Sequence, residues 1–377
     1  MSSRASSSIL MVVGSILAIV AALLVGAIVI LASGHDPFVA YKALAEGALG
    51  SRRGRAETLV YAAPLLLGGL AFAVAARAGM FNIGIEGQLV MGGFAAALIG
   101  ASDWHLPGPV QIVLAMLAAI IAGGIWGAIP GFLRAVTGAH EVITTIMLNY
   151  LAFRLITYLI QKRSDWLPVD PQIQGTNKVL ESARLPILLE RTRLHLGIII
   201  AFVVAIIIWY VLFHTVIGYK IRTVGLSTGA ARYGGINWGL TVTLAMALSG
   251  ALAGIAGAGE SLGLHGRHSA TPPGLGFTAI AVGLVGRNNP IGIIFAALLF
   301  GFLSAGAPSM QASAGVSREI VLVIQGLVIL AVAAFEAINR LSWFRQLTAP
   351  PATTGGDRSS AVGMEPEVEP RPSPPVI

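Results

Sequence analysis

The chain has no cysteine, which excludes both a disulfide framework and a thiolate metal site. Charge is scarce as well. Asp, Glu, Lys and Arg make up 11% of the 377 residues, against 55% hydrophobic ones, a balance that excludes an ordinary soluble domain. The only lysines are Lys42, Lys162, Lys178 and Lys220, and none belongs to a G-x-x-x-x-G-K-[ST] sequence. The chain therefore has no phosphate-binding loop of its own, so any ATP that drives it is hydrolysed by another polypeptide. What is present in abundance is apolar surface: the mean hydropathy of +0.81 describes a polytopic membrane protein. The net charge of +7 lies in short loops between apolar runs, which points to phospholipid headgroups and partner subunits rather than to nucleic acid.

A membrane-spanning helix needs about 20 apolar residues. Runs at 9–31, 58–76, 109–130, 142–160, 197–213, 238–258, 291–307 and 320–335 qualify. The first run exceeds the apolar region of a cleaved signal and reads as a retained span. Two further segments are irregular. Residues 79–101 mix glycines and polar groups into an apolar stretch, and 274–286 are too short to cross unaided before the turn Arg287-Asn288-Asn289-Pro290. Counting both, the expectation is an all-α protein of about ten transmembrane helices, some broken or half-length, with both termini on one side.

Asp36-Pro37 reads as a helix start, opening a short interfacial helix through Leu44. The longest polar loop is 161–195, with Lys162, Arg163, Asp165, Trp166 and Asp170. Three parts are expected: an N-terminal tail 1–8, a membrane domain 9–340, and a Pro-rich tail 341–377 whose composition is that of a disordered segment. Asn82-Ile83-Gly84 and Pro290-Ile291-Gly292 form a faint internal echo, each opening a span after a broken segment. Lysines and arginines divide almost evenly between the two sides, so the positive-inside rule does not orient the chain.

Three constellations could carry function. In 77–91, Arg77, Asn82, Glu86 and Gln88 stand among three glycines. A charge or a broken helix within a membrane is tolerated where it faces protein or a water-filled path. Asn82, Glu86 and Gln88 therefore either line a pathway or, in the case of Glu86, pair with Arg77 or a neighbouring helix and pin the break. Asn82 and Gln88 are the better candidates for touching a polar solute. Second, Glu141, Thr145 and Asn149 are spaced i, i+4, i+8 along one side of a helix, a stripe that suits a pathway or helix–helix hydrogen bonds equally. Third, Ser227 or Thr228 can cap a helix of about two turns that Gly234-Gly235 ends; this segment is either a docking helix for a soluble partner or a plain connector. Gly123/Gly127 and Gly250/Gly254 are small-xxx-small pairs for close helix packing. His265 and His268 have only Glu260 nearby and do not make a metal site.

Arg77 to Leu89, Glu141 to Tyr150, and the segment with Gly225, Ala230, Ala231, Tyr233, Gly235, Ile236 and Asn237 together resemble the permease subunit of bacterial ATP-binding-cassette importers for nucleosides. That family belongs to a broader group with ribose and branched-chain amino-acid permeases, and the likeness is closest to the longer of two paired permeases. The resemblance implies a transport subunit rather than an enzyme, placed in the bacterial cytoplasmic membrane and holding no cofactor, since ATP and Mg would sit in a cytoplasmic ATPase. It implies a second, shorter permease and an extracytoplasmic solute-binding lipoprotein. It also implies that 216–237 is the cytoplasmic coupling loop, with Arg222, Gly225, Ala230, Ala231, Tyr233 and Gly235 as its characteristic residues. That would place both termini inside and the 161–195 loop outside, leaving Arg52, Arg53 and Arg55 on the outer face. A monosaccharide permease is the nearest alternative. An ion-coupled secondary transporter using Glu86 and Glu141 is the alternative from another class.

Overall fold

The computed structural model describes residues 2–162, 167–269 and 274–340. Arg163, Asp165 and Trp166 of the long loop and the Pro-rich tail lie outside the described residues. Among the described residues the architecture is all-α apart from one very short hairpin. The helices run α1 Ser2–Ala32, α2 Pro37–Leu49, α3 Arg52–Arg77, α4 Ile85–Ala101, α5 Gly108–Thr137, α6 Glu141–Gln161, α7 Gly197–His214, α8 Val216–Leu226, α9 Thr228–Tyr233, α10 Trp238–Ala258, α11 Leu275–Val285, α12 Pro290–Ala314 and α13 Arg318–Arg340. Residues Met1–Phe335 form one unit; of Glu336–Ile377, only the helical residues 336–340 are described.

Short polar side chains start many of these helices, satisfying peptide N–H groups that helix geometry leaves free. Asp36 accepts from Phe38 and Val39 N with Pro37 at the first position; Ser51 caps α3, Thr215 α8, Ser227 α9, Asn237 α10 and Asn289 α12. Seven helices among the described residues are long and apolar enough to cross a membrane, and α1 with α2, bent by 118°, makes an eighth if counted as one span. The two irregular segments of the sequence are the shorter apolar helices α4 and α11. α2 is longer than the sequence expectation that ended it at Leu44. It runs on to Leu49 and buries Ala40, Ala43, Leu44 and Ala48, with Leu44 O so close to Gly306 of α12 that a Cβ there would clash.

Burial separates inner helices from outer ones. In α3, 83% of the apolar stretch is covered by protein, against 28% in α5, α6 and α13. α3 is thus the axis of the bundle, touched by α4, α7, α10, α11 and α12, while the others present apolar faces outward. Glycine permits the closest crossing: a Cβ on Gly250 would stand 2.1 Å from Gly123 O, and one on Gly254 would stand 2.2 Å from Ala119 O. Backbones that approach so closely stabilise a membrane bundle by dispersion and need small residues on both helices.

The loop between α6 and α7 differs most from expectation. It carries a two-residue hairpin, β1 Val169–Asp170 with β2 Gly175–Thr176 in antiparallel register, and a 3-10 turn over Glu181–Ala183. Thr176, Val179, Ala183 and Leu185 are buried, the last three packing on Ala96, Ala97, Ala115 and Leu262. This loop caps one end of the bundle.

Candidate functional site: two broken helices joined at a polar knot

α3 ends in a left-handed turn. Gly79 takes φ +77°, Gly79 N bonds Ala76 O and Met80 N bonds Ala75 O, the paired pattern that closes a helix C-terminus. Arg77 therefore ends α3 and does not pair with Glu86. Its Nε donates to Asn288 O at 3.1 Å, and its guanidinium lies 5.1 Å from the centre of the Phe213 ring. After an extended stretch, α4 starts at Ile85 deep within the bundle, where no water can satisfy its first peptide N–H groups.

Asn149 and Asn82 provide the missing partners. Asn149 Oδ1 accepts from Gly87 N at 2.9 Å while its Nδ2 donates to Ile83 O at 3.0 Å. Asn82 Oδ1 accepts from Gly84 N, its Nδ2 donates to Gln88 Oε1 and Ser249 Oγ, each at 2.9 Å, and Gln88 Nε2 returns to Asn82 Oδ1 at 3.2 Å. Ser249 Oγ donates onward to Ala71 O at 2.7 Å. Asn82, Gln88 and Ser249 are essentially unexposed, and Asn82 has used both amide hydrogens and both lone pairs of its oxygen. In this conformation the amides hold helices together, and Asn82 has nothing left over for a solute.

Glu86 joins the second broken helix. Its Oε1 accepts from Gly274 N at 2.7 Å and its Oε2 from Gly276 N at 2.6 Å. A fully buried carboxylate thus sits on the N-terminus of α11, where free N–H groups and the helix dipole favour negative charge. Gly276 has to be glycine for this approach: a Cβ would stand 2.4 Å from Glu86 N. The 141–149 stripe meets the same knot. Thr145 is buried, with Oγ1 bonded to Glu141 O and Cβ facing Gly84, while Glu141 sits at the outer end of the stripe and pairs with Arg134 at 3.5 Å.

The third constellation touches the break directly. A Cβ on Gly225, near the end of α8, would stand 2.2 Å from Arg77 O and 2.9 Å from Gly79 N. Arg222, one turn earlier, places its guanidinium 5.4 Å from the Phe213 ring centre that Arg77 also approaches. α9 has the caps expected of it: Ser227 Oγ accepts from Ala230 N, Gly234 ends it and Gly235 takes φ +70°. Its two faces are unlike, because Ala231 is buried in the core while Tyr233 is 98% exposed and Ala230 is exposed.

Ser249, Gly274, Gly276, Asn288 and Phe213 escaped the reading of the sequence. A serine within a span was the one available signal, since the two glycines and Asn288 act through peptide groups. At the end of the bundle opposite α8 and α9, a π-helical turn Gly259–His265 follows α10. There His265 faces Glu260 at 3.4 Å, and His268 bonds Ser261 Oγ through Nδ1. On the same end Arg193 clamps Glu57 with two hydrogen bonds beside a cavity of about 340 Å³ lined also by Arg53, Tyr61 and Ser309.

Residues 54–333 match the family described as branched-chain amino acid transport system / permease component. The chain belongs to this permease family. It is 40% identical over 331 residues to the guanosine ABC transporter permease protein NupP of Bacillus subtilis, covering 86% of this chain and 93% of that one. It is 38% identical over 326 residues to the nucleoside ABC transporter permease protein NupB of Lactococcus lactis, covering 84% and 89%. The glucose ABC transporter permease protein TsgB13 of Haloferax volcanii is 34% identical over 367 residues, covering 91% and 93%. For this permease, then, the buried polar knot belongs to a membrane transport subunit.

Proposed function

We propose that this chain is the permease subunit of an ATP-driven nucleoside importer in a bacterial cytoplasmic membrane. The observation that carries the reading is the direct contact of Gly225 with Arg77 and Gly79, which joins a surface helix pair to a break in the central helix. In this reading α8 and α9 form the coupling loop on the cytoplasmic face. A separate ATPase, which binds the ATP and Mg, grips exposed Tyr233 and Ala230. Its closure shifts Gly225, Arg222 and the buried Ala231, and through them the Arg77–Gly79 turn. Asn82, Glu86, Gln88, Glu141, Thr145 and Asn149 then act as the latch of the pathway: the path opens when the hydrogen bonds that close α4 on α6, α10 and α11 exchange. Nucleosides follow from two relatives whose names specify guanosine and nucleosides at 38–40% identity.

The same proposal orients the chain with both termini inside and ten crossings, counting α1, α4 and α11. The remaining partners are a distinct, shorter permease and a solute-binding lipoprotein docking on the outer face. Exposed Arg52, Arg53 and Arg55 at the start of α3 suit docking of an acidic surface. A monosaccharide is the second reading, favoured by the glucose permease relative.

Reconstituting the chain with its ATPase and second permease in vesicles tests both readings. Uptake of labelled uridine, adenosine or guanosine should require ATP and be outcompeted by nucleosides but not by ribose or glucose. Preferential competition by a hexose would move the assignment to sugars. Uptake by this chain alone that an ionophore abolishes would replace it with ion-coupled transport.

A further inference from the structure

Arg77 and Arg222 converge on one phenyl ring without a counter-charge among the described residues. Their guanidinium carbons lie 5.1 and 5.4 Å from the Phe213 centroid. Each makes one hydrogen bond through Nε, Arg77 to Asn288 O and Arg222 to Gly218 O. No ion pair among the described residues includes either of them. Both are half-buried, and their terminal nitrogens keep donors unspent. Two partly desolvated cations placed side by side repel, an arrangement that an anion between them would relieve.

The depth of this pair fixes the kind of anion. α3 has 26 residues, so it extends roughly 39 Å at 1.5 Å per residue, beyond the ~30 Å of a hydrocarbon core. Its last residue, Arg77, therefore stands at the level of the headgroups. The last turns of α7 support that level independently. Tyr210 stacks on His214 there at the protein surface with Trp209 tilted against the same imidazole, and the aromatic Tyr219 with Val216 and Ile217 of α8 are exposed beside them. Such a girdle of amphipathic rings marks a membrane–water interface. The charge at this end of the bundle agrees: among the described residues Arg77, Arg134, Lys220, Arg222 and Arg232 gather here, and the carboxylate of Glu141 is already held by Arg134.

We propose that Arg77 and Arg222, braced on Phe213, form a binding site for the phosphodiester headgroup of an anionic phospholipid. The headgroup would sit where the α3 break, the end of α8 and the α11–α12 turn meet, so that lipid binding holds these three together. The inference does not depend on which solute the permease carries.

Native mass spectrometry of the full-length chain in detergent, offered equal amounts of phosphatidylglycerol and phosphatidylcholine, tests it. Phosphatidylglycerol should be retained in preference. Because a basic residue at a membrane surface contributes about a fivefold preference for anionic lipid, Arg222→Gln should reduce phosphatidylglycerol affinity by about fivefold and leave phosphatidylcholine unchanged, while Arg222→Lys retains most of the preference. Equal retention of the two lipids, or an unaltered preference in Arg222→Gln, would overturn the site. Displacement by inorganic phosphate as effective as by the lipid would show a free-anion site instead. Loss of the bound lipid whenever the ATPase is present would assign the two arginines to a protein–protein contact.

Discussion

Replacing Glu86 by glutamine isolates the bond between the two broken helices, because it keeps the shape and removes the charge. In the native chain both carboxylate oxygens accept, from Gly274 N and Gly276 N at 2.7 and 2.6 Å. A glutamine keeps one acceptor and turns a second N–H pair of its own toward a peptide N–H, so one bond is lost and the other becomes neutral. Hydrogen bonds to charged groups contribute roughly 1.5–3 kcal/mol, and a stranded buried donor costs about 1–3 kcal/mol. The expected loss is then about 2–3 kcal/mol, concentrated at the start of α11. Local opening of that size accelerates amide exchange roughly 30- to 150-fold. Hydrogen exchange over Leu275–Val285 reads it directly, with α5 and α10 as internal reference. A correctly folded Glu86→Gln protein whose α11 exchanges at the native rate would refute the assignment of Glu86 as the cap of α11. The same variant, freed of its latch, should also leak solute without ATP in reconstituted vesicles.

Gly225→Ala drives a Cβ to 2.2 Å from Arg77 O. It should uncouple ATP hydrolysis from uptake, whereas Gly326→Ala, which meets nothing within 4 Å, should be silent in the same uptake and ATPase assays. Tyr233→Ala should weaken ATPase capture in a pull-down without lowering the melting temperature, because Tyr233 is exposed; Ala231→Leu should lower both, since Ala231 has no exposed surface and overpacking costs about 1–3 kcal/mol. Asn149→Ala strands Gly87 N and Ile83 O and should destabilise the chain by about 2–4 kcal/mol, read as a lower melting temperature. His268 is held down at about 4, first by burial and then by His265. The folded state therefore binds fewer protons than the unfolded chain between pH 6.5 and 4, and stability falls as pH drops through that window, by up to about 3 kcal/mol. His268→Gln should flatten the melting-temperature profile there.

Much of this arrangement was legible because membranes make local signals strong. Asp36-Pro37, Ser227 and Gly234-Gly235 announce helix ends through side-chain chemistry that acts within four residues, and the structure places caps there. Gly123/Gly127 and Gly250/Gly254 announce a close crossing because nothing larger would fit. The partners of Glu86 and Arg77 were not legible. Gly276 N lies 190 positions from Glu86 and Asn288 O lies 211 from Arg77, and a peptide group carries no sequence signature. Opposite charges nine residues apart invited pairing with each other, yet Arg77 is turned to Asn288 O while Glu86 takes two peptide N–H groups at the start of α11. The polar look of the α6–α7 loop concealed Val179, Ala183 and Leu185, whose burial depends on surfaces of α4 and α5 that no local pattern describes.

The internal echo is sharper in space than in sequence, with the turns in the register of the sequence match and the side-chain caps one position out of it. Asn82 and Asn289 play like parts: each accepts, through its side chain, from the N–H two residues ahead, Asn289 as the cap of α12 and Asn82 just before α4. The turns before them match as well. Met80 N returns to Ala75 O after α3, and Asn288 N returns to Gly283 O after α11, the same closing pattern, although Arg287 and Asn288 adopt positive φ in a region that favours glycine. Parallel α3 and α11 thus end in equivalent turns, and Arg77 Nε bonded to Asn288 O ties one turn to the other. Gly225 abuts the first turn, and Arg77 links that turn to the second. The two broken helices are joined again at the opposite end by Glu86, so neither can tilt without loading the other's cap. In the proposed mechanism, one surface helix acting on one turn would therefore load both broken helices.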